Sequence, residues 1–109
     1  MTVQAVIPEI DLPAPGARSL LRIEGRSIAV FNVQGTLYAI DSTCPHAGAS
    51  LANGLLDGHT VQCRAHGLRF DLRTGCMPGS KGLSVKSYAI EMREGQTYIS
   101  ISKTDEISQ

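Results

Sequence analysis

Two short boxes, Cys44-Pro45-His46 and Cys63-Arg64-Ala65-His66, stand sixteen residues apart and constrain this chain more than any other feature. Each joins a thiol donor to an imidazole donor, and four such ligands suit zinc or an iron–sulfur cluster. Ligand pairs that share one zinc ion are spaced by roughly two to four residues, so that both side chains reach it. Cys44 and His46 have a single residue between them, which makes convergence on one tetrahedral ion awkward. A binuclear centre relieves the difficulty, because the two side chains of each box can then reach different metals. A zinc staple in a non-redox interaction module remains the alternative.

The boxes lie in a stretch, residues 41–83, that holds every cysteine and histidine, most of the glycines and few β-branched residues. Such a stretch does not build its own apolar core, and loop-rich units of this size lean on a metal or a staple. The three cysteines are an odd number, which argues against a disulfide framework.

On either side the pattern changes to short β-rich runs divided by turn signals. Ser19–Glu24 and Ser27–Val33 flank Gly25-Arg26, and Gln34-Gly35 leads into Thr36–Ile40. Asp57-Gly58 separates Leu55-Leu56 from Thr60–Cys63 as a hairpin turn. Tyr88, Ile90 and Met92 alternate with Ala89, Glu91 and Arg93, and Glu94-Gly95-Gln96 turns that run into Thr97–Ser102. Alternation with period two and no sustained helical period predicts an all-β fold, an antiparallel sandwich or barrel. At 109 residues the chain is expected to form one domain, with a loop-rich metal-binding unit inserted at about 41–83.

With these residues in view, the chain resembles the Rieske [2Fe-2S] proteins, in which two histidines replace two cysteines on one iron. The likeness extends to the flanks: Cys44-Pro45-His46-Ala47-Gly48-Ala49, Cys63-Arg64-Ala65-His66-Gly67-Leu68-Arg69-Phe70-Asp71, and the Pro78-bearing run from Gly75 to Ser80. That run sits where the family has a proline loop over its cluster. The resemblance implies one [2Fe-2S] cluster, with Cys44 and Cys63 on the inner iron and His46 and His66 on the outer, solvent-near iron. Two ferric ions, two sulfides and two thiolates make a formally neutral oxidised cluster, so it accepts an electron more readily than a four-thiolate one.

Departures from the family pattern narrow the role. The high-potential members carry a further cysteine in each box, joined as a disulfide; the matching positions here are Ala49 and Ala65. They also place a serine and a tyrosine beyond the second box as hydroxyl donors, where this chain has Leu68 and Phe70. Loss of both donors removes stabilisation from the reduced cluster, and a potential near the low end of the Rieske range is expected. An oxygenase would need a further iron held by two histidines and a carboxylate, but only His59 is left over. The chain is therefore expected to be no enzyme, but an electron carrier. The resemblance points to the ferredoxin of a bacterial multicomponent dioxygenase, taking electrons from a flavin reductase and docking transiently on a terminal oxygenase at the His46/His66 tip. The alternative is the small subunit of an assimilatory nitrite reductase, which Gly75-Cys76-Met77 and Ser84-Val85-Lys86-Ser87-Tyr88 resemble.

Charge adds little. Ten cations balance ten carboxylates, which gives no reason to expect nucleic acid. Residues 59–86 carry a local net charge of +4, open to two readings: a surface that steers an acidic partner, or a solvated face. No apolar run approaches the ~18 residues of a membrane span, and the first fifteen residues do not read as a signal peptide. A cytoplasmic monomer is expected. Cys76 is read as an inert, partly buried thiol, His59 as an exposed turn residue, and Phe31, Tyr38, Phe70, Tyr88 and Tyr98 as core and sheet residues.

Overall fold

A computed structural model of the chain describes residues 2–42, 50–63, 69–76 and 84–102. Among these residues, ten strands form three antiparallel sheets, as the alternating pattern predicts. The first sheet orders β1 (Thr2–Ile7), β10 (Gln96–Ser102) and β9 (Ile90–Arg93) side by side. The second runs β2 (Arg18–Ile23), β3 (Arg26–Val33), β4 (Thr36–Asp41) and β8 (Ser87–Tyr88). A third sheet of three-residue strands, β5 (Leu55–Asp57), β6 (Thr60–Gln62) and β7 (Arg69–Asp71), lies within the 41–83 stretch.

Tight hairpins set the registers. β2 and β3 close on Ile23 opposite Arg26, β3 and β4 on Val33 opposite Thr36, and β9 and β10 on Arg93 opposite Gln96. Each closes with a two-residue loop, Glu24-Gly25, Gln34-Gly35 or Glu94-Gly95, in which both residues have positive φ. That is the turn whose twist suits paired strands. Two turns sit one residue away from the sequence expectation. The first is Glu24-Gly25 rather than Gly25-Arg26. The other is Gly58-His59 rather than Asp57-Gly58, because Asp57 and Thr60 are themselves paired. Two strands were not foreseen: β1, whose partner β10 lies at the other end of the chain, and the short β7 behind the second box.

β3 is the centre of the packing. Ile28 through Val33 are all buried, so the alternation that marks a half-exposed strand is absent. Ile28 and Val30 join Ile7, Ala39, Tyr88, Ile99 and Ile101 in a core shared with the first sheet. Ala29, Phe31 and Val33 face the other way and pack with Ile40, Leu51, Val61, Cys63, Phe70, Leu72 and Val85. The second sheet is thus a middle layer, and the small sheet that carries the second box packs on its outer face. Fully burying side chains the size of Phe31, Phe70, Leu51 and Ile40 contributes about 1.5–3 kcal/mol each, before conformational entropy is set against it.

Candidate metal centre

Of the four expected ligands, Cys63 lies among the described residues; Cys44, His46 and His66 lie outside them. Cys63 follows β6 directly and is fully buried among Val61, Phe70, Leu72 and Leu51. A thiolate at that depth needs a positive partner, and an iron ion supplies one. The described frame also brings the roots of the two boxes together. β4 ends at Asp41, whose amide donates to the carbonyl of Lys86 (2.9 Å), and the amide of Ser42 donates to Ser27 (3.0 Å). The chain leaves the frame after Ser42 and returns at Ser50, and the amide of Leu51 donates back to the carbonyl of Ser42. Ser42 and Leu51, which flank the first box in the sequence, are therefore joined by a backbone hydrogen bond.

Ser50 then caps a single 3-10 turn, Leu51–Asn53, accepting from the amide of Ala52 at 3.3 Å. The turn ends at Gly54, where a Cβ would stand 2.6 Å from the carbonyl oxygen of Gln62. Gln62 immediately precedes Cys63. One end of residues 50–54 thus grips the root of the first box and the other abuts the root of the second. A donor set of two thiols and two imidazoles, in two boxes whose flanking residues adjoin, fits a [2Fe-2S] cluster of the mixed kind.

The segment beyond the second box is held just as closely. The carboxylate of Asp71 accepts from the backbone amide of Arg73 (2.8 Å) and from its guanidinium (3.1 and 2.8 Å). The Arg73 side-chain hydrogen bond holds the Asp71 carboxyl below its ordinary pKa, and the same pairing raises the guanidinium. The amide of Asp71 donates to the carbonyl of Cys76, and that of Val85 to Gly75 (2.8 and 2.7 Å). Cys76 and Ser84 form an antiparallel bridge, so the expected covering loop around Pro78 springs from a pinned base, while the loop itself lies outside the described residues.

Two residues differ from their sequence reading. His59 is half-buried, not exposed: its ring meets Tyr38 edge-on at 5.6 Å between centroids, and its carbonyl accepts from Leu72 (2.7 Å). Cys76 is exposed rather than partly buried, because the bridge to Ser84 leaves its side chain on the outer side. Tyr88 reaches from the middle sheet to the base of the first loop. Its hydroxyl donates to Asp41 at 2.6 Å, and burial first, with that hydrogen bond second, raises its pKa. Phe70 fills a buried place with no hydroxyl to offer, as the sequence indicates. Sequence reasoning passed over Arg18, whose guanidinium donates to the carbonyls of Ala52 and Gly54 at the end of the 3-10 turn.

An all-β frame of this topology, with Cys63 buried beside the residues that flank the first box, accommodates the iron–sulfur centre expected from the sequence, and the comparisons with known proteins supply the class. The Rieske [2Fe-2S] domain family matches residues 2–89, and the chain belongs to that family, with a Rieske-type [2Fe-2S] cluster as its cofactor. It is 37% identical over 97 residues to the ferredoxin subunit of a 3-phenylpropionate/cinnamic acid dioxygenase from Photorhabdus laumondii, covering 85% of this chain and 89% of that one. Among solved structures it is similar to a protein in a complex of reduced oxygenase and oxidised ferredoxin of carbazole 1,9a-dioxygenase. There the TM-score is 0.70 at 33% identity, over 79% of this chain and 90% of that one. A chain described as an NADH-dependent nitrite reductase small subunit, from Mycobacterium tuberculosis, superposes with a TM-score of 0.81. It is 22% identical, over 94% of this chain and 97% of that one, and that likeness speaks to the fold alone.

Proposed function

We propose that this chain is the ferredoxin component of a multicomponent dioxygenase system, accepting single electrons from a flavin reductase and passing them to a terminal oxygenase. The observation that carries the reading is the likeness, over most of both chains, to ferredoxin components of dioxygenase systems, one of them solved in complex with its oxygenase. Cys44 and Cys63 would hold the buried iron, and His46 and His66 the iron nearer the surface. When bound, the cluster supplies one-electron exchange. The chain's own residues would hold it, and Phe70, Leu72 and Leu51, which pack with Cys63, would keep water from that ligand. No separate catalytic group is required of such a carrier, and none is assigned.

In this reading residues 1–109 act as one Rieske domain, with the cluster-binding unit at about 41–83. The protein works as a cytoplasmic monomer that docks weakly at the His46/His66 tip. Among the described residues, no helix is long and apolar enough to cross a membrane. The immobilised, cluster-loaded protein, exposed to lysate of its source organism, tests the assignment through the visible spectra of what it retains. A flavoprotein, or a second Rieske protein with additional iron, supports the ferredoxin. A single large sirohaem- and flavin-bearing polypeptide identifies the nitrite reductase subunit instead.

A further inference from the structure

Arg18 lies on β2, across from Phe31 of β3, and its guanidinium stands over the Phe31 ring at 5.3 Å from the centroid. From there a single nitrogen, Nη1, donates to two backbone carbonyls, those of Ala52 (3.1 Å) and Gly54. Both carbonyls belong to the end of the 3-10 turn, where the last acceptors of any helical turn lack partners of their own. The turn is also the strut between the two boxes. At its start Leu51 holds the carbonyl of Ser42, two residues before Cys44; at its end Gly54 presses on Gln62, one residue before Cys63. Leu51 anchors the strut in the core, and Arg18 is the side chain that fixes its far end to the middle sheet.

We propose that Arg18 is a positioning residue for the metal centre: by holding the carbonyls of Ala52 and Gly54 it fixes the strut, and through the strut the separation of the two ligand boxes. The proposal rests on the ligand reading given above. It assigns Arg18 no contact with the cluster and no part in electron exchange. Its geometry makes a distinction that can be tested. One nitrogen serves both carbonyls, so a lysine ammonium, although one bond shorter in reach than Nη1, keeps a single charged donor directed at them. A methionine keeps the apolar stem over Phe31 but donates nothing.

The experiment compares cluster-loaded wild type, Arg18→Met and Arg18→Lys by three readouts: the EPR line shape of the reduced cluster, its midpoint potential, and the rate of iron loss to a chelator. Nitrogen hyperfine couplings in the wild type report the ligand reading separately. Arg18→Met is expected to lose iron about tenfold faster, the equivalent of one charge-assisted hydrogen bond, with a shifted line shape and potential. Arg18→Lys is expected to restore most of all three. Far-ultraviolet circular dichroism should be unchanged in both, since β1, β9 and β10 do not touch the strut's carbonyls. An Arg18→Met protein with wild-type line shape and iron retention overturns the proposal. Equal impairment of both variants also overturns it, because charge donation would then not be what matters. Absence of imidazole nitrogen couplings in the wild type overturns the ligand reading, and the proposal with it. If Arg18→Met fails to fold, Gly54→Ala displaces the same strut from the Gln62 side with Arg18 intact. Faster iron loss in that variant supports the proposal, and unchanged retention overturns it.

Discussion

Gly75 and Val85 meet backbone to backbone: the amide of Val85 donates to the carbonyl of Gly75 at 2.7 Å, and the Val85 carbonyl fills the place a Gly75 Cβ would take. Gly75 also has a φ of +82°, which side-chain-bearing residues rarely adopt. Gly75→Ala therefore combines backbone strain with a collision against a carbonyl. The expected cost is about 2 kcal/mol or more in urea denaturation. A cost below about 0.5 kcal/mol contradicts the close approach.

Tyr88 should ionise later than a tyrosine in an unfolded chain. Its phenol pKa is raised by burial and by donation to Asp41, whereas unfolded tyrosine titrates near pH 10. The sign follows from linkage: the stabilisation is full below about pH 10 and is lost as pH rises toward the folded value. Ultraviolet titration of wild type against Tyr88→Phe should show the late phase disappear. The variant is expected to lose about 1 kcal/mol at neutral pH. A wild-type titration that loses no late phase in Tyr88→Phe would contradict the burial of the Tyr88 phenol and its bond to Asp41.

Asp71 gives the opposite pH signature. Its carboxyl is held low by Arg73, so its contribution is full above an ordinary aspartate pKa of about 3.9 and fades as pH falls toward the depressed value. Asp71→Asn should lower the urea midpoint at pH 7, and the gap to wild type should close in acid. Added salt should narrow the gap only modestly, since the Asp71 side chain is 17% exposed although Arg73 is 57% exposed. A gap that is constant from pH 7 to pH 3 would dismiss the ionised pair as its source.

The potential is expected at the low end of the Rieske range, near about −150 mV. Phe70 occupies the buried position at which the high-potential members place a hydroxyl donor. Protein-film voltammetry on Phe70→Tyr should read a rise of roughly 60 mV, the equivalent of about 1.4 kcal/mol in a one-electron couple. A wild-type midpoint well above zero would contradict the argument from missing donors.

What could be read in advance depended on how locally each feature is encoded. The glycine-bearing turns at Gln34-Gly35 and Glu94-Gly95 announce themselves locally, the first turn was read one residue late at Gly25-Arg26, and strands β2 to β4, β9 and β10 follow from these turns. The Rieske family was legible in the boxes because ligand chemistry restricts residue type as well as spacing. β1 was not, because its hydrogen bonds go to β10 at the opposite end of the chain. Arg18 was invisible for a related reason. Its acceptors are 34 and 36 residues away, and they are backbone carbonyls, which leave no mark on residue choice. His59 misled because a histidine after Asp57-Gly58 reads as a loop residue, while the fold brings Tyr38 against its ring.

β3 is covered on both of its faces, and that limits how this protein can diverge. Even-numbered Ile28 and Val30 belong to one compartment and odd-numbered Ala29, Phe31 and Val33 to the other. A one-residue slip would send every occupant into the wrong room, and a change of volume on either side is felt by the shared wall. Related chains of this fold thus have little latitude in this strand. Their variation should accumulate on the outward-facing positions of β1, β9 and β10 and in the loops, while the Ile28–Val33 segment drifts slowly.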